Sequence, residues 1–342
     1  MPRPRPLTAL LVAATATAML VAFTPVASGQ ILASASGVSV VRSAPWPRPA
    51  VPNAIRIRLH VRRTDTLHLK DSRNYILRMP RVKKTGPLFI RGGGNVRLVG
   101  GLMSTKVKGP NIVIMDDSGT RDGRIVHIEG LLINGSSRVP SDGIKIKAPH
   151  TIVQLEHDRI VGLHGSLRGY HADVVQPGGG VKELLIDDFT GSSHYNNFYF
   201  RRETDPLKPA IGRVIIENTN MFGYQNPGTI PRRTLRGISI GTQPNPPSND
   251  SSALNCDVTN ALWMKNFWVR PPRGVRAAQF VYPHDRMDGP AARCDSAYKS
   301  STHSVDWPRL RASAGGEVHG VVHVGTHRAF VRARTVGLHY RG

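Results

Sequence analysis

Two histidine-bearing segments carry residue types suited to chemistry. His171-Ala172-Asp173 sets an imidazole two residues before a carboxylate, and Val174-Val175-Gln176 completes an H-x-D-x-x-Q run. His194 and Asn196 repeat the first spacing, and Tyr199 then stands where Gln176 stands. One segment earlier, Asp142 and Lys145 hold the places of Asp173 and Gln176. A side-chain base can remove a substrate proton, and a nearby cation can hold the charge that develops. His171, supported by Asp173, or Lys145 is the candidate base, and Arg168, Arg201 or Arg202 is the candidate charge stabiliser. His194, Asn196, Gln176, Tyr199, Arg168 and Arg201 are the candidate substrate contacts.

Plainer roles stand beside these. Asp142 before Gly143 suits a turn, because Asp tolerates unusual backbone angles. Asn196-Asn197 reads equally as a turn or an interior asparagine ladder, and His157-Asp158 reads as a solvated turn. Asp187-Asp188 offers oxygens to Ca²⁺. Adjacent acids point to opposite faces of a strand, however, which favours a structural role.

The candidates need elements that bring them together. A pattern of short apolar strand, polar or Gly residues and a second apolar pair recurs from Leu98, Ile128, Leu155, Ile186, Ile216 and Met264. The spacings are 30, 27, 31, 30 and 48 residues, which is a repeat architecture with one insertion. Between these run Asp142–Ile146, Asp173–Gln176, Asn196–Phe200 and Arg236–Ile240, with β-branched or aromatic residues at alternating positions. Without helical patterns between them, such strands cannot form βαβ units. They can bury themselves by stacking as a parallel β-helix, with rungs about 4.8 Å apart. Ile144, Ile146, Val175, Phe198, Phe200, Ile238 and Ile240 are the expected inward positions. A β-sandwich is the alternative, although its strands recur without a longer superperiod. Stacking would put Asp142, Asp173 and Asn196 in one column, His171 and His194 in another, and Lys145, Gln176, Tyr199 and Ser239 in a third. Asp142 and Asp173 would then lie about 5 Å apart, closer to a retaining than to an inverting glycosidase pair.

The segments SDGIKIKAPHTIVQLEHDRIVG and YHADVVQPGGGVKELLIDDFTG resemble the pectate-lyase-like superfamily of right-handed parallel β-helix proteins. The closer likeness is to exported actinobacterial members, and the tail from Trp307 to Tyr340 resembles theirs too. The likeness covers roughly residues 85–340 and implies an all-β, single-stranded right-handed parallel β-helix. It speaks weakly for a reaction, because that superfamily holds lyases, hydrolases, esterases and non-catalytic binders. In the resembled lyases an Arg or Lys acts as base and acids hold Ca²⁺. No clear acidic triad for Ca²⁺ stands here, so the cofactor is left open and no metal ligand is assigned.

The 342 residues carry 46 Lys+Arg against 23 Asp+Glu, a net charge of +23, with 39% hydrophobic residues. That apolar content excludes a wholly disordered chain, and no central run is long enough for a polytopic helical membrane protein. Residues 1–35 read as an export signal, with Arg3 and Arg5, an apolar run Leu7–Phe23 and a small-residue site Ala33-Ser34-Ala35. An uncleaved anchor is the alternative. Residues 36–55 read as a Pro-rich linker, 56–282 as the β-helix and 283–342 as a C-terminal segment packed on its end. In an exported chain the two cysteines, Cys256 and Cys294, are expected to form a disulfide worth about 3–4 kcal/mol. Arg56–Arg63, Arg78–Lys84 and Arg332–Arg334 are basic runs. In a secreted protein they point to an acidic polysaccharide or cell-wall polymer. Nucleic acid is not expected, since no aromatic-interleaved recognition motif appears. A monomer with no stable membrane partner after signal cleavage is expected. Function therefore reads as carbohydrate-directed, either a lyase or hydrolase of acidic polysaccharide or a non-catalytic glycan-binding or structural solenoid.

Overall fold

The computed structural model describes residues 46–135, 139–165, 170–200, 210–223, 252–256, 261–271, 299–300, 304–306, 310–311, 317–325 and 330–341. The chain is nearly all-β, and its strands join into one curled, mainly parallel sheet. In a first ladder, Ile55–Arg58 pairs with Tyr75–Arg78, which pairs with Val96–Val99, and so on through Ala261–Arg270 to Glu317–Val324. A second ladder runs from Asp65–Leu69 through Leu88–Gly92, Ile112–Met115, the start of Ile144–Leu163, Asp173–Gln176 and Asn196–Phe200 to Ser252–Cys256. Antiparallel pairing enters where Ser304–Asp306 and Leu310–Arg311 meet Glu317–Val324.

The repeat read from the sequence is the register of the first ladder. Leu98, Ile128, Leu155, Ile186, Ile216 and Met264 are successive partners in one column, and Leu77 extends it toward the N-terminus. All of these are buried. Each such side chain contributes about 1.5–3 kcal/mol by leaving water. A one-residue slip would turn every one of them outward, so this column fixes the register. In the second ladder Ile144, Ile146, Val175, Phe198 and Phe200 are fully buried, as their alternation predicts. Phe198 lies 5.8 Å from Phe189 and 6.1 Å from Phe267, ring centre to ring centre. The two ladders therefore face one shared interior.

The Arg236–Ile240 segment, with Ile238, Ser239 and Ile240, lies outside the described residues. The strand that pairs with Asn196–Phe200 is Ser252–Cys256, so Asn255, rather than Ser239, is the partner of Tyr199. A strand nearer the end of the insertion takes the rung, and alternation in the sequence alone does not say which of two short alternating segments pairs.

The polar residues of the repeat make its bends. After the positions Val99, Glu129, Glu156, Asp187, Glu217 and Lys265 come Gly100, Gly130, His157, Asp188, Asn218 and Asn266, all with positive φ between 43° and 69°. Gly, Asn, Asp and His are the residues that tolerate this left-handed turn best. The turn side chains also stack. Asn218 Nδ2 donates to Asp187 Oδ1 at 2.7 Å and Asn266 Nδ2 donates to Asn218 Oδ1 at 2.8 Å. Asp188 pairs with His157 at 2.5 Å. Asp187 and Asp188 are thus occupied structurally. Asp158 corrects its solvated reading. It is fully buried and accepts the Leu131 N–H at 2.7 Å, because the left-handed turn at His157 swings the next residue inward. Along these turns runs the C-terminal segment, with Gly337 bonded to both Gly101 and Gly130, and Thr335 at 3.0 Å from His157.

Candidate functional site

The residues first read as a site divide between interior and surface. Asp173 pairs with Asn196 in the ladder, and its N–H donates to Asp142 Oδ1 at 3.0 Å, so the Asp142–Asp173–Asn196 column exists. It points inward, however. Asp142, Asp173 and Asn196 are all buried, and Tyr170 donates to Asp142 Oδ2 at 2.6 Å. Burial raises the Asp142 carboxyl and raises Asp173 further, with the Asp142 charge adding to the latter and a hydrogen bond from Asn196 opposing it. Asp173 Oδ1 finds no hydrogen-bond partner among the described residues. Lys145 and Gln176 are register partners, half-buried on the opposite side of the strand from Ile144 and Val175, and Tyr199 is half-buried too. His171 is exposed and stacks on Tyr195 at 4.4 Å. His194 is buried beside His164, and burial followed by that neighbour lowers it to about 3. Strand alternation thus puts Lys145, Gln176 and Tyr199 on the other side of the strands from the two acids, while the Lys145 charge still reaches both carboxyls and opposes their rise. Arg168, Arg201, Arg202 and Cys294 lie outside the described residues, as does the side chain of Cys256, and the disulfide with them.

A different surface gathers the charge. On the first ladder the inward Ile57, Leu77 and Leu98 alternate with outward arginines. Arg56 is in register with Ile76 and then Arg97, and Arg58 is in register with Arg78 and then Val99. Three successive rungs, each about 4.8 Å from the next, therefore present guanidinium groups on one face. With Arg81 and the C-terminal Arg341 they line an open groove of about 1260 Å³, and Tyr340 and His60 are also in its wall. Arg56, Arg58, Arg78, Arg81 and Arg341 are exposed and Arg97 is half-buried.

Arg97 of the groove is anchored by an acid–imidazole network. Arg97 reaches Glu129 at 3.3 Å, Arg48 reaches it at 2.6 Å, and His127 Nε2 lies 3.0 Å from it. His127 Nδ1 is 2.9 Å from Gln154 Oε1. Burial pushes Glu129 up, but the His127 hydrogen bond and the charges of His127, Arg48 and Arg97 hold it below its ordinary value. Burial raises Glu156, the register partner of Glu129. His127, Glu129 and Glu156 place ligand-type atoms within 4.8 Å of one another, the spacing of a metal cluster. Arg48 and Arg97 already answer the charge of Glu129, so this trio reads as an ion-pair network that fixes Arg97.

Elsewhere in the groove lining, His60 Nδ1 lies 2.6 Å from Asp65 Oδ1. Asp65 is buried and takes a further bond from the fully buried Lys84 at 2.7 Å. This pair was not singled out in the sequence. Its signal was present in the run Arg56-Ile57-Arg58-Leu59-His60, where alternation sends 56, 58 and 60 to one side.

These features define a curled, parallel, repeat-built all-β protein with a basic surface groove. Compared with known proteins, the chain matches no family model, no curated protein and no solved structure.

Proposed function

We propose that this chain is an exported right-handed parallel β-helix of the pectate-lyase-like kind, and that it binds an acidic polysaccharide or cell-wall polymer along its arginine groove. The single observation that carries the reading is the track of Arg56, Arg58, Arg78 and Arg97 across three rungs in one open groove. A linear polyanion meets such a track with charges on successive units, and guanidinium forks grip carboxylates in two-point bonds. Handedness follows from a general rule, since parallel strand-to-strand crossovers are right-handed in about 98% of cases. Tyr340 is the one Phe, Tyr or Trp side chain among the described groove residues, with the His60 imidazole as the one other ring. Single-stranded nucleic acid needs repeated stacking platforms, so a glycan or other backbone-charged polymer is favoured.

The test is retention of the protein on immobilised acidic polysaccharides across a salt gradient. Arg58→Gln combined with Arg78→Gln is expected to weaken binding roughly tenfold or more. Equal retention of the double variant, or retention insensitive to salt, removes the groove from consideration.

A further inference from the structure

We infer that the C-terminal segment Phe330–Arg341 is a strap latched by protonated His157, and that the latch sets how far Tyr340 and Arg341 complete the groove wall. The second half of the inference rests on the reading of the groove as a polyanion site; the first half does not.

The strap lies over the turns of the first ladder and is held at three places. Phe330 and Val331 are buried, and the Val331 carbonyl accepts from Arg159 Nη1 and from the Thr190 hydroxyl, each at 3.3 Å. Gly337 donates its N–H to the Gly130 carbonyl at 2.8 Å and accepts from the Gly101 N–H at 3.0 Å. Between these anchors stands His157, whose Nε2 lies 3.0 Å from Thr335 Oγ1 and 3.2 Å from the Thr335 carbonyl. Past them, Tyr340 and Arg341 line the groove.

The partners of His157 decide its protonation. Nδ1 faces Asp188 Oδ2 at 2.5 Å, where a carboxylate can only accept. On the other side the Thr335 carbonyl can only accept. The Thr335 hydroxyl donates its proton to the Arg332 carbonyl at 3.0 Å, so it too accepts from the ring. Both ring nitrogens therefore meet acceptors, and only the imidazolium satisfies them all. Loss of one proton sets a nitrogen lone pair against an oxygen, at Asp188 or at the strap.

The surroundings of the ring agree. Asp188 on the following rung and Glu156 on its own strand are acidic, Gly130 on the preceding rung is uncharged, and Tyr340 of the strap lies 5.7 Å away, ring centre to ring centre. The strap's Arg332, Arg334 and His339 are exposed. The Asp188 hydrogen bond is the first cause that raises His157 above its ordinary value, against burial. The bend itself does not require an imidazole, since Gly100, Gly130, Asn218 and Asn266 make the same left-handed turn on other rungs. The histidine stands at the rung whose turn meets Thr335.

A group raised in the folded chain supports its contacts below its ordinary value and loses that support as pH rises through the raised one. The strap is therefore latched in mildly acid solution, and Thr335–Arg341 loosens as His157 gives up its proton. Arginine keeps its charge throughout that range, so the track itself does not change.

The experiment follows hydrogen exchange of the full chain from pH 5.5 to 9, corrected for the intrinsic rise of exchange with pH, alongside retention on immobilised polygalacturonate. Protection over residues 335–341 is expected to fall roughly tenfold in a one-proton step above about pH 6.5, while the strand beneath at residues 152–156 keeps its protection. Retention is expected to fall about two- to fivefold over the same step. His157→Asn keeps a residue that the same turn accepts at Asn218 and Asn266. It is expected to abolish the step, with protection at pH 6 close to that of wild type at pH 9. Asp188→Asn removes the charge that raises His157 and is expected to move the step to lower pH, a shift that a purely structural role would not produce. Protection of wild type that is level across the range, or an unchanged step in His157→Asn, overturns the latch. A step in exchange with level retention, or an equal fall of retention in His157→Asn, overturns the link to the groove and leaves the latch standing. Absence of wild-type retention at every pH overturns the groove reading and again leaves the latch standing.

Discussion

Asp142 and Asp173 occupy neighbouring rungs inside the wall, and their behaviour follows from burial rather than from proximity alone. Both carboxyls lie above their ordinary values, burial being the first cause. A carboxyl with a raised folded value holds its proton more tightly in the folded chain. It therefore supports folding below the unfolded carboxylate value and loses that support as pH rises through the raised one. Asp173→Asn keeps the shape without the charge. It is expected to raise the melting temperature at pH 7 and to flatten the fall above about pH 4. Thermal melts between pH 4 and 8 check this, and a variant that melts lower at pH 7 refutes the account. The sequence predicted the column correctly but not its direction. The direction was nevertheless legible, since Ile144, Val175 and Phe198 stand two residues after the three polar ones on the same strands, and the alternation that turns them inward turns Asp142, Asp173 and Asn196 inward with them.

At the scale of the element, the bends matter as much as the strands. Gly130 has φ +69°, and a Cβ there would fall 2.2 Å from the Tyr340 ring. Gly130→Ala is expected to cost about 1–3 kcal/mol and to loosen the segment Phe330–Arg341, which packs on these turns. Denaturant melts measure the first effect and hydrogen exchange over residues 330–341 the second. Unchanged exchange there would show that Tyr340 does not depend on that glycine. The turn positions were partly legible, since the repeat showed polar or Gly residues at each bend. Their stacking into the Asp187–Asn218–Asn266 run was not, because it depends on which rungs are neighbours. The same limit hid the His60–Asp65 pair, which needs the loop between them to fold back and Lys84 to arrive from the next strand connection.

For the whole molecule, the interior is shared by both ladders, so its large side chains couple them. Phe198 contacts Phe200 on its own strand and Phe189 and Phe267 from two other strands. Phe198→Ala is expected to lower stability by about 3–5 kcal/mol, read from denaturant unfolding, with both ladders affected. A cost below about 1 kcal/mol would mean that the ladders do not share that core.

The sequence by itself determined the strands that carry the repeat, the period that places Leu98, Ile128, Leu155, Ile186, Ile216 and Met264 in one column, and the excess of positive charge. Those are properties of local alternation, spacing and composition, and they survive without knowledge of neighbours. Only the tertiary structure decided which polar groups are buried and which arginines share a groove. Side-chain direction and solvent access arise from the pairing of rungs and from the terminal segments laid over them, and residues far apart in the chain set both.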